Sequence, residues 1–309
     1  MNSSLTKPKV LVIRGGAIGD FILTLPAIAA LRQQFPQAHL EVLGYPHIAQ
    51  LAIAGRVVDH LQPIEAAALA TFFARNGPLN SDWVDYFSEF DLIVSYLYDP
   101  DEIFQTNIKL SSPAQFIEGP HRPDENGRTH ATKIYLKPLE RLAILDANPV
   151  PRLEIERLRM PVNQVALHPG SGSEKKNWPE EKWLEFANHL LDRTKANVLL
   201  VGGEAEGERL RRLAAALPTE RCEVAQSLPL AELAQWLQSC VAFVGHDSGI
   251  SHLAAALGLR CLVLWADTSE EVWRPQGERV SVLKHAAGVK ALTVEIVAAE
   301  FRQLLTTAR

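Results

Sequence analysis

Cysteine is scarce in this chain of 309 residues: Cys222, Cys240 and Cys261 are an odd number and widely spaced. No Cys-x-x-Cys pair occurs, so neither a zinc site nor a disulfide framework is indicated. Small buried thiols in a reducing compartment are the expectation. Positive charge is not in excess either. Lys and Arg total 31 against 36 Asp and Glu, a net charge of -5, which argues against a protein that coats nucleic acid or anionic lipid. That balance still allows a local basic patch facing an anionic acceptor. No apolar run approaches the roughly 18 residues needed to span a bilayer. Met1 to Lys9 holds no apolar core of a secretion signal, so a cytoplasmic location is expected. No low-complexity tract or short-period repeat is present.

What the chain does have is 47% apolar residues and 22% charged ones, the balance of a globular protein, and a length that suggests two domains. Lys9-Val-Leu-Val-Ile13 is a short β-branched run of the kind that forms a buried parallel strand. A glycine-rich turn follows, then a helical stretch from Phe21 to Phe35 in which Pro26 predicts a kink or a late start. His39–Leu43 and Asp91–Ser95 are further strands. The second half repeats the alternation, with strands at Gln164–His168, Asn197–Val201, Val241–Val244 and Cys261–Leu264 and helices between them. Strand and helix in alternation imply parallel sheets with right-handed crossovers, hence two Rossmann-like halves. Pro149, Pro151 and Pro161 mark Leu145 to Val162 as the connector. The boundary is drawn as 1–150 and 151–309, with the terminal helix free to pack back on the first domain. Asp99 to Thr132, rich in Pro, Asn, Ser and Gly, predicts a long loop region of the kind that faces substrate.

Three stretches carry chemistry. Arg14-Gly-Gly-Ala-Ile-Gly-Asp20 joins a strand to a helix, and Gly15, Gly16 and Gly19 permit a sharp turn and a close backbone approach. Arg14 occupies the first glycine position of the dinucleotide fingerprint, and the P-loop ending is missing, so neither NAD nor a nucleoside triphosphate is the expected guest. What remains is Asp20 at the carboxyl edge of a parallel sheet, where open α/β sheets bind ligands; taken alone it also reads as a helix cap. His168 to Pro179 is the second stretch. Its Gly170, Ser171, Gly172 and Ser173 can wrap an oxyanion, Lys175 and Lys176 add charge, and Trp178 implies that part of the loop is tucked in. The third, Val244 to Ala256, runs from a strand end into a helix whose start holds Asp247, Ser248, Gly249 and Ser251, suited equally to phosphate binding and to capping. His252, a lone helical histidine, fits a core role, and Asp99-Pro-Asp101 fits a turn before a helix better than a metal site. No serine-hydrolase elbow is present.

In order and spacing, Ile13 to Arg32, His168 to Pro179 and Gly245 to Gly258 resemble glycosyltransferase family nine, the bacterial heptosyltransferases of lipopolysaccharide core assembly. The stretch from Val57 to Pro161 carries no motif. The resemblance implies a GT-B fold: two Rossmann-like α/β domains whose parallel sheets face each other across a cleft, the first binding the acceptor and the second the nucleotide sugar. It implies an inverting, metal-independent mechanism with no cofactor, an ADP-heptose-like nucleotide diphosphate-sugar donor, and a glycan or glycolipid acceptor at the cytoplasmic face of the inner membrane. By position Asp20 becomes the catalytic base and Lys176 the diphosphate lysine. Ser171, Ser248, Gly249 and Ile250 become phosphate contacts, the last two through backbone, with Asp247 on the donor sugar and Glu206 on the ribose. Ser248 stands where the family carries threonine. A nucleotide-sugar epimerase and a non-catalytic nucleotide-sugar-binding protein are the competing expectations; the incomplete glycine fingerprint weighs against the first, and the presence of Asp20 and Lys176 against the second.

Overall fold

The computed structural model describes residues 7–157 and 159–306, which form two compact units, Met1–Pro149 and Val150–Arg309.

Unit 1 runs β1 (Lys9–Arg14), α1 (Ile18–Gln34), β2 (His39–Gly44), α2 (Pro46–Ala54), β3 (His60–Pro63), α3 (Ser81–Ser88), β4 (Leu92–Ser95), α4 (Ile103–Ser111), β5 (Gln115–Glu118) and α5 (Ala131–Leu136). Its parallel sheet has the order β3-β2-β1-β4-β5. Strand order reverses between β1 and β4, so a crevice opens beyond their carboxyl ends, where Ile13 pairs with Ser95. The loop carrying Asp20 leaves β1 at that point.

α1 starts at Ile18 rather than Phe21 and continues through Pro26. Proline inside a helix costs about 3 kcal/mol. Phe21, Ile22, Leu25, Ile28 and Leu31 are all buried here, and each such side chain returns roughly 1.5–3 kcal/mol. Burial wins, and the helix is not broken. The expected long loop from Asp99 to Thr132 also contains order, since α4 and β5 lie within it. Phe104 and Ile108, one turn apart, bury against Phe72, Trp83 and Phe87 in an aromatic cluster that holds α4 in place.

Unit 2 runs β6 (Gln164–His168), α6 (Glu180–Arg193), β7 (Asn197–Gly202), α7 (Gly207–Ala215), β8 (Cys222–Gln226), α8 (Leu230–Ser239), β9 (Ala242–His246), α9 (Gly249–Ala256), β10 (Arg260–Trp265), α10 (Glu270–Trp273), β11 (Val280–Lys284) and α11 (Val294–Thr306). Its parallel sheet has the order β11-β10-β9-β6-β7-β8, which reverses between β6 and β9. α6 buries Trp183, Phe186, Ala187, Leu190 and Leu191 at helical spacing. α11 buries Val297, Ala298 and Phe301 in the same core, so the terminal helix packs within unit 2, with Phe301 edge-on to Phe186. The connector divides at Pro149, and its later part joins this unit: Leu153 is buried and its N–H donates to the Ala256 carbonyl at 2.9 Å.

Candidate functional site

In unit 1 the strand-to-helix turn makes Asp20 the third residue of α1, not its cap. Its Oδ2 accepts the Ala17 N–H at 3.1 Å, half of a capping box that the alanine cannot reciprocate. Gly16 has φ +95°, and a Cβ there would lie 3.0 Å from Asp20 Oδ2, so the turn needs glycine for both conformation and space. The Asp20 carboxylate is partly exposed and lies 3.7 Å from the buried Arg14 guanidinium. Gly15 lies in the turn, whereas Gly19 falls in the first turn of α1. Burial raises the nearby Tyr96 and Tyr135 hydroxyls above the ordinary phenol range, against the opposing pull of Arg14. Their rings pack edge-on at 5.7 Å beside the turn.

In unit 2 the loops after β6, β7, β9 and β10 converge at the carboxyl edge. Lys176 Nζ lies 2.6 Å from Asp247 Oδ2, joining side chains that are 71 residues apart in sequence. The same oxygen accepts the Thr268 hydroxyl at 2.5 Å. Thr268 is held in turn by Trp265, whose indole N–H donates to its carbonyl at 2.9 Å. Ser248 caps α9 by accepting the Ser251 N–H, and its hydroxyl lies 3.3 Å from His168 Nδ1. Gly249 and Ile250 follow as the first turn of α9, where backbone N–H groups lack intrahelical partners. Ser171 Oγ lies 2.8 Å from Asn177 Oδ1 and 2.9 Å from the Ser173 carbonyl, which folds the serine–glycine loop on itself. Glu206 accepts the Gly203 N–H at 2.9 Å. Its side chain lies on Gly170, where any Cβ would come within 2.1 Å of it, so Gly170 is what admits the glutamate to this edge.

Two buried histidines fix the loops. His246 Nε2 accepts the Trp178 N–H at 2.8 Å and Nδ1 faces the Gly170 carbonyl at 3.2 Å, which sets a neutral imidazole protonated on Nδ1. Burial lowers His246 to about 4, against the opposing pull of the Gly170 hydrogen bond. Burial, reinforced by His246, lowers His168 to about 3. Trp178 is fully buried, as its position beside the lysines implied. His252 is buried too.

Asp99 lies in the loop between β4 and α4 of unit 1. Its Oδ1 accepts the Phe104 N–H at 3.1 Å and its Oδ2 the Gln105 N–H at 2.9 Å, which makes it the opening of α4. Asp101 lies 3.5 Å from Arg75. Three residues went unnoticed in the sequence. Thr268 follows β10 with no flanking glycine or lysine to mark it. Asn177 lies inside the lysine loop but is uncharged. Arg209 donates to the Pro169 carbonyl at 3.2 Å and pairs with Glu174 at 3.0 Å, yet on a charged helix it looks like any surface arginine.

Comparison with known proteins converges on one family. The model of glycosyltransferase family 9 (heptosyltransferase) matches residues 135–295, slightly more than half of the chain. Lipopolysaccharide heptosyltransferase 1 of Pseudomonas aeruginosa is 41% identical over 105 residues, a stretch spanning 34% of this chain and 29% of that protein. Lipopolysaccharide heptosyltransferase 3 of Escherichia coli is 24% identical over 292 residues, 85% of this chain and 83% of that protein. The structure of the E. coli ADP-heptose lipopolysaccharide heptosyltransferase II superposes with a TM-score of 0.77 at 19% identity, over 96% of this chain and 98% of that one. That likeness identifies the two parallel-sheet α/β units as the GT-B fold. The chain belongs to glycosyltransferase family 9, the heptosyltransferase family.

Proposed function

We propose that the protein transfers a heptose from an ADP-heptose-like donor to a hydroxyl of a lipopolysaccharide-core or related glycan acceptor, with inversion at the anomeric carbon. The observation that carries this is the Lys176–Asp247–Thr268 cluster beside the start of α9, at the strand-order reversal of unit 2. A lysine ammonium has three N–H donors, and with one toward Asp247 the others can meet phosphate oxygens. Ser248, the Gly249 and Ile250 amides and Ser171 add neutral donors to the same anion. Asp247, fixed by Thr268, offers its carboxylate to sugar hydroxyls, and Glu206 serves the ribose. In unit 1, Asp20 takes the acceptor proton as the acceptor oxygen bonds to the anomeric carbon. The bond from that carbon to the diphosphate oxygen breaks in the same step, and its electron pair leaves with ADP. Lys176 and the α9 terminus stabilise the charge that grows on the leaving group. The work is done at the cytoplasmic face of the inner membrane; among the described residues no helix is long and apolar enough to cross it.

The test is thermal unfolding with ADP, ADP-heptose, UDP-N-acetylglucosamine and NAD in parallel. A ligand at a hundred times its Kd stabilises by about 2.7 kcal/mol. ADP and ADP-heptose are expected to raise the midpoint. Stabilisation by the uridine sugar or by NAD with none from ADP would overturn the assignment and favour the epimerase or dehydrogenase class.

A further inference from the structure

We propose that Arg14 is the positioning residue of the catalytic base, acting through Asp20 and never touching substrate. The inference rests on the assignment of Asp20 as base. Arg14 ends β1 after four apolar residues and is 2% exposed. A buried guanidinium is strongly disfavoured unless its charge is matched and its N–H groups are bonded. One terminal nitrogen donates to the His121 carbonyl at 2.8 Å and the Tyr96 carbonyl at 3.3 Å. The other donates to the Asp20 carbonyl at 3.3 Å and lies 3.7 Å from Asp20 Oδ1. The guanidinium carbon stands 4.6 Å from the centre of the Tyr135 ring. Nε is buried without a hydrogen-bond partner.

Among the described residues Asp20 is the one carboxylate paired with Arg14. The pairing is therefore what makes burying this cation tolerable. It also divides the work on the carboxylate: the Ala17 N–H holds Oδ2, and Arg14 faces Oδ1. Because the same guanidinium grips the Tyr96 and His121 carbonyls, it ties the ends of β4 and β5 to the Asp20 turn. A residue that only filled the strand end would be apolar, like the four before it. An arginine with an unmet Nε is a poor filler and a good clamp.

The experiment is a double-mutant cycle on transfer to the acceptor, with donor KM and kcat separated. Arg14→Ala is expected to lower kcat roughly 10- to 100-fold, the scale of a misplaced catalytic group, with donor KM unchanged. In the Asp20→Asn background the same change is expected to alter kcat by less than about twofold, because the group it positions is already gone. Arg14→Lys should recover part of the loss, and added guanidinium ion should partly rescue Arg14→Ala. Equal losses in both backgrounds, or an unchanged kcat in Arg14→Ala, would overturn the proposal and leave Arg14 a structural strut. If the alanine variant does not fold, Arg14→Lys and Arg14→Gln carry the same cycle. Full activity in Asp20→Asn alone would instead overturn the assignment of the base, so the two failures are distinct.

Discussion

The two units solve the same topological problem by different means. In unit 1 the proposed base, Asp20, is set chiefly by its own short loop, through the left-handed Gly16, the Ala17 N–H and the arginine at the end of β1, which alone reaches the β4 and β5 ends. Unit 2 brings four loops to its strand-order reversal and sets Lys176 and Asp247 by pairing them across 71 residues. A local device tolerates little change within a few residues. A distributed one spreads its loss over several partners. Proton transfer suits the first arrangement, since it depends on one carboxylate. Holding a polyanion suits the second, since charge is shared.

The sharpest way to break this comparison is to remove one charge from each unit. Asp20→Asn is expected to lower turnover by roughly 10² to 10⁴ while leaving ADP affinity nearly intact. Lys176→Ala is expected to weaken donor affinity and turnover together, by about 10- to 1000-fold in kcat/KM, because its charge acts on both ground and transition state. Steady-state kinetics with ADP titration separates the two patterns. Loss of ADP binding in Asp20→Asn, or intact binding in Lys176→Ala, would show that the division between the units is wrong.

How much of this was legible beforehand follows from the same contrast. The three motif loops stand out together, by their order and spacing, although the first and third, taken singly, also read as helix caps. The paired-sheet architecture was visible because β-branched runs such as Lys9–Ile13 and Asn197–Val201 alternate with helical stripes. The order inside Asp99–Thr132 was not visible. Its helix depends on Phe104 and Ile108 meeting Phe72 and Phe87, contacts that no local pattern announces. Thr268 was missed for a related reason: its importance comes from the oxygen it shares with Lys176, and an isolated threonine after a strand has no signature. Arg14 was noticed only as a departure from a glycine fingerprint. Its burial, which makes the departure meaningful, is a property of the fold.

The histidines sharpen the comparison on the side of stability. His168 and His246 are held near 3 and 4, below the ordinary 6.5, chiefly by burial. The unfolded chain therefore binds protons that folded unit 2 does not. Their contribution is fully present above 6.5 and is lost as pH falls, toward 4 for His246 and toward 3 for His168, with a limiting slope of roughly 1.4 kcal/mol per pH unit for each histidine. Chemical denaturation across that range, followed by tryptophan emission in a Trp83→Phe background, reads the tryptophans of unit 2, Trp178 and Trp183 beside His246 among them. A transition that does not move with pH would mean that the imidazoles are more exposed than their packing indicates. His246→Gln, which keeps a donor and an acceptor without a titrating ring, is expected to remove one histidine's share of the slope.

The smallest expected effect is that of removing divalent metal: none. A nucleotide diphosphate leaves with several negative charges, and in metal-dependent transfer a cation gripped by acidic side chains offsets them. In the proposed mechanism unit 2 supplies that cation itself. Lys176 supplies a full charge, the start of α9 adds roughly half a charge, and Ser248 and Ser171 stand at the same edge. The acidic pair of Asp99-Pro-Asp101 is committed elsewhere: both oxygens of Asp99 accept backbone N–H groups of α4, and Asp101 lies beside Arg75. Asp247 is likewise engaged, by Lys176 and Thr268 on one oxygen. Turnover after dialysis into excess chelator should match that of a parallel sample with magnesium restored. Activity that vanishes with chelator and returns with magnesium would remove the distributed lysine mechanism from unit 2, and Asp247→Asn would then show whether that carboxylate holds the metal.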